Sequence, residues 1–165
     1  YELFSSAIAM NAQIESTQRV VFLKGLIQTL HADLTTVLRD CTAKEDRNMK
    51  GYFTIDPPTI TLCTNHIATL YEMETILVHE MVHLLDYQRG KEIDKNPEDL
   101  LASEFRAAYY GDCYQKSKEV SFLRRRCILK SGLMNAKNVM NMDGVDYRSV
   151  YKRCMEETIR ENAIP

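Results

Sequence analysis

Two histidines and a glutamate interrupt an apolar run between Ile76 and Asp86. The run reads "ILVHEMVHLLD", and its inner polar residues are His79, Glu80 and His83. Residues four apart on an α-helix lie on one face, so the two histidines can present imidazole nitrogens to a single ion. Glu80 is turned roughly 100° from His79 about the helix axis, which frees its carboxylate to act on a water molecule beside that ion. The spacing therefore predicts metal-assisted hydrolysis.

This spacing is the His-Glu-x-x-His pattern of zinc peptidases, in which the glutamate acts as general base. Uncharged residues surround the motif on both sides. A dry helix of this kind fixes metal ligands and lowers the dielectric around the ion. Two core histidines with a stray glutamate would be the alternative, but an unpaired buried carboxylate is costly. We predict a Zn²⁺ ion held by His79 and His83, with Glu80 as the catalytic residue.

A catalytic zinc usually has three protein ligands and keeps one position for water. A metzincin would supply a glycine and then a histidine after His83, but Asp86 holds the glycine position and no histidine follows. Asp86 falls on the ligand face, although it lies about 4.5 Å beyond His83 along the helix axis. Glu104, in "LLASEFRAAYY" on the next predicted helix, would complete a gluzincin-type His₂Glu site. We predict Glu104 as the third ligand and keep Asp86 as the alternative.

Other polar residues are weaker candidates. Arg106, Tyr109 and Tyr110 could each donate a hydrogen bond to a developing oxyanion, although one helix cannot turn all three toward the same site. His66 is expected to be a surface or capping histidine, and His31 belongs to the first predicted helix, with no partner in view.

Composition describes a globular chain of one domain. Its 165 residues are 45% hydrophobic and 27% charged, and the formal net charge of −2 gives no general case for binding nucleic acid. No apolar run approaches the ~20 residues that cross a bilayer. The arginine run 124–126 is expected to be solvated, or to contact an acidic partner or lipid headgroups. Five cysteines leave at least one thiol unpaired, and both free buried thiols and one or two disulfides are open. Because the chain starts at Tyr1, we expect a processed or trimmed fragment.

Periodicity places the motif among helices and two short strands. The predicted elements are a helix from Ser16 to about Arg39, a charged loop at Lys44–Lys50, strands at Tyr52–Ile55 and Thr59–Thr64 joined by a turn at Pro57–Pro58, a helix from Glu72 to about Gln88, a helix capped by Asn96 and Pro97 that runs to about Tyr110 and stops at Gly111, a helix from Val120 to Leu133, and a last helix from Tyr147 to Asn162.

Several blocks occur in one order along the chain: "LCTNHI", "HEMVHLLD", "SEFRAAYYGDC", "RRRCIL" and "YKRC". Together they cover roughly Gly51 to Met155. In this order they resemble the mitochondrial inner-membrane-associated metallopeptidase family that processes and helps assemble an ATP synthase subunit. By position, the resemblance implies His79 and His83 as metal ligands and Glu80 as the catalytic residue, and it puts Glu104 at a characteristic family position.

The resemblance also implies a fold, a location and a partner. The fold class is α+β, a mainly helical zincin-like domain of gluzincin type with a small antiparallel sheet before the active-site helix. We predict one zinc metallopeptidase domain over residues 1–165, with N-terminal helices in 1–45, short strands in 51–64, active-site helices in 72–110 and C-terminal helices in 120–162. The location would be the mitochondrial intermembrane space, peripheral to the inner membrane. The substrate would be a protein or peptide, namely a membrane subunit precursor of ATP synthase, and no nucleic acid is expected.

Two other functions stay open from the sequence. The same zinc-binding fold can act as a non-catalytic assembly chaperone that holds an apolar subunit while it docks. It can also be a zinc peptidase with another substrate, including one associated with DNA-repair proteins.

Overall fold

The computed structural model describes residues 17–29, 33–42, 49–114 and 121–162. By its internal contacts the chain divides into two compact units, Tyr1–Gln88 and Arg89–Pro165. The fold is mainly helical α+β with a small sheet before the helix that carries the motif, as predicted. In chain order the elements are α1 (Gln18–Thr29), β1 (Thr35–Arg39), β2 (Gly51–Thr54), β3 (Thr59–Cys63), a 3₁₀ turn (Thr64–His66), α2 (Leu70–Gln88), α3 (Pro97–Tyr110), α4 (Ser121–Val139) and α5 (Tyr147–Asn162).

The sheet of the first unit has three strands in the order β1-β3-β2. Strands β2 and β3 are antiparallel, with Phe53 opposite Ile60, so the predicted antiparallel pair is present. Strand β1 adds a parallel partner on the other side, with Val37 opposite Thr61. The sheet is therefore mixed, and β3 is its central strand.

The prediction of one helix from Ser16 to about Arg39 is wrong at its C-terminal end. The helix ends at Thr29, and Thr35–Arg39 forms strand β1. β-branched residues favour a pleated surface, and this segment opens with Thr-Thr-Val. Backbone pairing with β3 then outweighs the helical spacing of the leucines. His31 and most of the charged stretch Lys44–Lys50 lie outside the described residues.

Helix α2 begins in a capping arrangement. The Thr69 hydroxyl accepts a hydrogen bond from the Glu72 amide at 3.1 Å, and the Glu72 carboxylate accepts one from the Ala68 amide at 2.9 Å. These contacts satisfy amides that a helix start leaves without internal partners. Helix α1 is tied to α2 by an ion pair between Arg19 and Glu74 at 2.7 Å. The start of the motif-bearing helix is thus fixed within its own unit.

The described part of the second unit has three helices around one apolar core. Asn96 caps α3 as predicted, because its side chain accepts from the amides of Glu98 and Asp99 at 2.9 and 3.4 Å. Helix α4 runs on to Val139, beyond the predicted end at Leu133. The core consists of Leu100, Leu101, Ala102, Phe105, Ala108, Cys113, Ile128, Ala136, Val150, Cys154 and Met155.

Each unit contains one disulfide. Cys41 is bonded to Cys63, Cys113 is bonded to Cys127, and Cys154 is a free buried thiol. Of the alternatives open from the sequence, two bridges and one buried thiol are found. Within the described ranges, no helix is long and apolar enough to cross a bilayer.

Candidate metal centre

His79 and His83 converge on one side of α2. Their Nε2 atoms are 3.0 Å apart, and their rings meet edge to face with centroids 4.7 Å apart. His83 is 6% exposed, and His79 is partly buried. The apolar neighbours Val78 and Val82 are buried, as the sequence predicted for a dry helix. The four-residue spacing therefore brings two imidazole nitrogens to one point.

Glu104 is buried on α3. The residue is 4% exposed, between Ser103 and Phe105, which are fully buried. One carboxylate oxygen of Glu104 and one ring nitrogen of each histidine, His79 and His83, all lie within 4.8 Å of one another. Among the described residues, this is the group of three possible metal ligands whose ligand atoms lie within this distance of one another. His79, His83 and Glu104 are therefore a group that could hold a metal ion. Asp86 is fully buried on α2 and is not part of the group.

The donor set suits a zinc ion. Zinc is bound by imidazole nitrogen at about 2.0–2.1 Å and by carboxylate oxygen at about 2.0–2.2 Å. Two nitrogens that share an ion can therefore be at most about 4 Å apart. The 3.0 Å between the Nε2 atoms of His79 and His83 is within that limit. Two imidazoles and one carboxylate also leave a fourth tetrahedral position for water.

An aromatic ring from the sheet packs against His83. Phe53 lies on β2, and its ring stacks on His83 with centroids 6.2 Å apart and planes 29° apart. Two residues earlier, Gly51 comes so near α2 that a Cβ there would be 2.6 Å from Cγ2 of Ile76. Sequence reasoning treated this stretch only as β-prone. No local pattern could have revealed the contact, since Phe53 and His83 are far apart in the chain.

Comparison with known proteins agrees with this geometry. The model of the peptidase M76 family matches residues 6–159, most of the chain. The chain belongs to the peptidase M76 family. No curated protein and no solved structure matches it significantly. The protein is accordingly a member of a metallopeptidase family with a candidate metal site at His79, His83 and Glu104.

Glu80 in this M76 peptidase is partly buried on α2, next to His79 and three residues before His83. Each residue of a helix turns by roughly 100° and rises by about 1.5 Å, so Glu80 is turned from the ligand face but lies between the two histidines along the axis. At the N-terminal end of the same helix, a hydrogen bond from Lys50 and another from the Ala68 amide lower the pKa of the Glu72 carboxyl from its ordinary value of 4.5.

The other candidates in this M76 peptidase have structural contacts of their own. Arg106 is 3% exposed and donates to a Glu157 carboxylate oxygen at 3.2 Å. The Arg124 guanidinium lies 3.8 Å from the centre of the Tyr109 ring and donates to the Tyr109 carbonyl. His66 Nδ1 is 2.6 Å from the Met49 carbonyl oxygen, a contact between the 3₁₀ turn and the segment before β2.

Proposed function

We propose that this protein is a zinc-dependent endopeptidase of the mitochondrial intermembrane space that processes a membrane subunit precursor of ATP synthase. The observation that carries the catalytic part is the convergence of His79, His83 and Glu104, with ligand atoms within 4.8 Å, beside Glu80. The substrate and the location rest on the resemblance of the sequence blocks. The metal, the ligand roles and the catalytic role of Glu80 are part of the proposal.

Each residue of the group has one task in the proposed reaction. His79, His83 and Glu104 would hold the zinc ion, and the ion would lower the pKa of a bound water and polarise the scissile carbonyl. Glu80 accepts a proton from the attacking water and then donates it to the leaving amine. Burial of the ligands excludes bulk water and so strengthens these electrostatic interactions.

An extended substrate can add to a sheet only along a strand edge that has no partner strand. The period-two segment Thr59–Thr64 cannot take a substrate strand, because β3 pairs with β1 and β2 on its two sides. Strand β2 pairs with β3 on one side only, among the described strands, and Phe53 brings it next to His83. We propose that the substrate adds to the outer edge of β2.

Zinc content is the first test. We expect one zinc per chain in the purified protein, and much weaker binding in His83→Ala and in Glu104→Ala. Asp86→Asn is the matched variant, because Asp86 is the competing carboxylate. If Glu104→Ala retains the metal and Asp86→Asn loses it, the ligand assignment is overturned. A parent that takes up no zinc after reconstitution would refute the metallopeptidase mechanism for this chain.

Glu80→Gln separates catalysis from metal binding. The variant should keep its zinc and lose cleavage by about 10²–10⁴-fold, the usual contribution of a general acid–base residue. Loss of zinc in this variant would mean that Glu80 is a ligand. In cells lacking the native protein, rescue of ATP synthase assembly by Glu80→Gln would favour the assembly chaperone, with cleavage dispensable. Precursor that accumulates unprocessed in those cells would support the proposed substrate.

The proposed location has support from the disulfides. Cystines persist in oxidising compartments and are rare in the reducing cytosol. This chain has two of them, Cys41–Cys63 and Cys113–Cys127. Fractionation of mitochondria, with protease added before and after rupture of the outer membrane, tests the assignment. If the protein stays protected from the protease until the inner membrane is dissolved, the proposed location is refuted.

We also propose that peripheral membrane association uses helix α4. The helix carries five cationic side chains and no acidic one, although the whole chain has a formal charge of −2. Its outer face carries both apolar and cationic residues at helical spacing: Leu123, Arg126, Lys130, Met134 and Lys137, all exposed. Such a face can insert apolar side chains between lipids while the long cations reach anionic headgroups.

Vesicle binding tests this surface. We expect the protein to bind vesicles of mixed neutral and anionic phospholipid, and to release them at high salt. Arg126→Glu with Lys130→Glu should weaken binding by tenfold or more, since each basic residue near an anionic surface contributes about 1 kcal/mol. Lys152→Glu, an exposed cation on α5, is the control. Equal binding to neutral vesicles, or equal loss in the control, would overturn the assignment.

A further inference from the structure

The stack between Phe53 and His83 suggests a role for the sheet in metal binding. We infer that Phe53 is a positioning residue for the metal ligand His83, and that the close approach of strand β2 to helix α2 at Gly51 sets its place. The inference rests on the proposed function, because it assumes that His83 binds the metal. It assigns no contact between Phe53 and the ion itself.

The strand and the helix run alongside one another over several contacts. Lys50 is hydrogen-bonded to Glu72, Gly51 faces Ile76, and the Phe53 ring faces His83. Gly51 and Phe53 are two apart, so they share one face of the strand. Ile76 and His83 are seven apart, or two helical turns, so they share one face of the helix. One face of β2 thus lies along the ligand-bearing face of α2.

A side chain at Gly51 would remove this arrangement. A Cβ there would lie 2.6 Å from Cγ2 of Ile76, 3.2 Å from the Thr61 carbonyl oxygen and 3.3 Å from Cδ2 of Leu62. Contacts below 3.0 Å require atoms to shift, and the last two atoms belong to the paired strand β3. Glycine therefore lets the backbone of β2 reach α2, and that approach is what carries Phe53 to His83.

The His83 ring is held from two directions. Phe53 covers one side at 6.2 Å with planes 29° apart, and His79 meets the ring edge to face at 4.7 Å. Both separations are in the range of attractive aromatic pairs. The outer torsion of a histidine is broad, so an unrestrained ring would spend time turned away from the ion. A stacked neighbour narrows that torsion and lowers the entropy lost when the ligand binds metal.

The opposite face of β2 offers a matched control. Tyr52, like Phe53, is a partly buried aromatic residue of this strand. Its hydroxyl accepts a hydrogen bond from Arg39, and the Arg39 guanidinium lies 5.6 Å from the centre of its ring. Removing either ring removes a similar amount of apolar surface from one strand. Only the removal of Phe53 should affect His83.

The experiment measures zinc affinity by competition with a chromophoric chelator, together with the visible spectrum of the cobalt(II)-substituted protein. Phe53→Ala should bind zinc about tenfold more weakly, the low end of the effect of residues that orient metal ligands. It should also broaden the cobalt bands. Phe53→Tyr keeps the ring and should restore the parent affinity, and Tyr52→Ala should leave affinity and spectrum unchanged.

Other outcomes separate this inference from the proposed function. A parent that binds zinc, with Phe53→Ala equal to it in affinity and spectrum, would overturn the positioning role and leave the metal site standing. Equal weakening by Phe53→Ala and Tyr52→Ala would also overturn it, since general loosening of the sheet would explain both. A parent without zinc binding would refute both proposals.

Discussion

Alanine at Gly132 should destabilise the protein, although alanine is the better helix former. Gly132 lies inside α4, where a Cβ would be 2.5 Å from Cδ1 of Phe105, 3.0 Å from its Cε1 and 3.3 Å from the backbone carbon of Glu104. Replacing glycine by alanine in a helix interior gains about 0.5–1 kcal/mol. Overpacking a close-packed core costs about 1–3 kcal/mol. Phe105 is fully buried and its ring has little room to yield, so the cost should exceed the gain.

The expected net change for Gly132→Ala is a loss of about 1 kcal/mol in the free energy of unfolding, which follows from those two ranges. A chain of this size should then melt about 2–4 °C lower. Gly25→Ala is the matched control, because Gly25 is also inside a helix and has no atom within 4 Å of the added Cβ. That variant should be more stable by about 0.5–1 kcal/mol.

The assay is equilibrium unfolding in urea, followed by circular dichroism without reductant so that both disulfides stay intact. The two alanine variants should move in opposite directions from the parent. If Gly132→Ala is stabilised as much as Gly25→Ala, then α3 and α4 are not packed as closely as described. If both variants are destabilised, the propensity argument itself is refuted for this chain.

Three further predictions concern the helix starts and a disulfide. Asn96→Ala should lower the free energy of unfolding by about 1 kcal/mol because the first-turn amides of α3 lose their acceptor, whereas Asn96→Asp should be close to the parent in a thermal melt. Glu72 has a lowered pKa in the folded state, so its contribution to the free energy of unfolding is present above the ordinary carboxyl pKa of 4.5 and is lost as the pH falls through the folded pKa. The difference in stability between the parent and Glu72→Gln should therefore disappear in acid. Lys50→Met should reduce that difference at neutral pH. A difference that widens in acid would contradict the sign. Replacing Cys41 and Cys63 together by alanine should cost about 3 kcal/mol in chemical unfolding, since the bridge closes a loop with a sequence separation of 22, and an unchanged midpoint would contradict this.

Local patterns were enough to predict the helices that carry the site. The cap at Asn96 and the stop at Gly111 depend on side chains and backbone within a few residues, and both are found. His79 and His83 were predictable for the same reason, because a helix converts a spacing of four into a shared face. Glu104 is on a different helix, so the helical spacing of the motif does not reach it. Its residue type and the apolar residues around it indicated Glu104 as a possible third ligand.

Pairing between distant segments explains the errors. The stretch Thr35–Arg39 has both helical spacing and β-branched residues, and its state depends on whether β3 is there to pair with it. The helix predicted to end at Leu133 continues to Val139, and Gly132 inside it makes room for Phe105 from another helix. In both cases the deciding partner is more than twenty residues away, beyond the reach of a local pattern.

The residues of the candidate site also divide into those that a local pattern can predict and those that depend on a distant partner. A metal site needs ligands of the right type, and that requirement can be recognised in the sequence from His79, Glu80 and His83. It also needs the ligand rings to be held in place, and any apolar residue at the correct position can meet that need. Phe53 therefore has no signature of its own, and its role follows only from the stack on His83. If Phe53→Leu, which keeps apolar bulk but not a flat ring, binds zinc as tightly as the parent, packing volume alone suffices and the flat ring is not required.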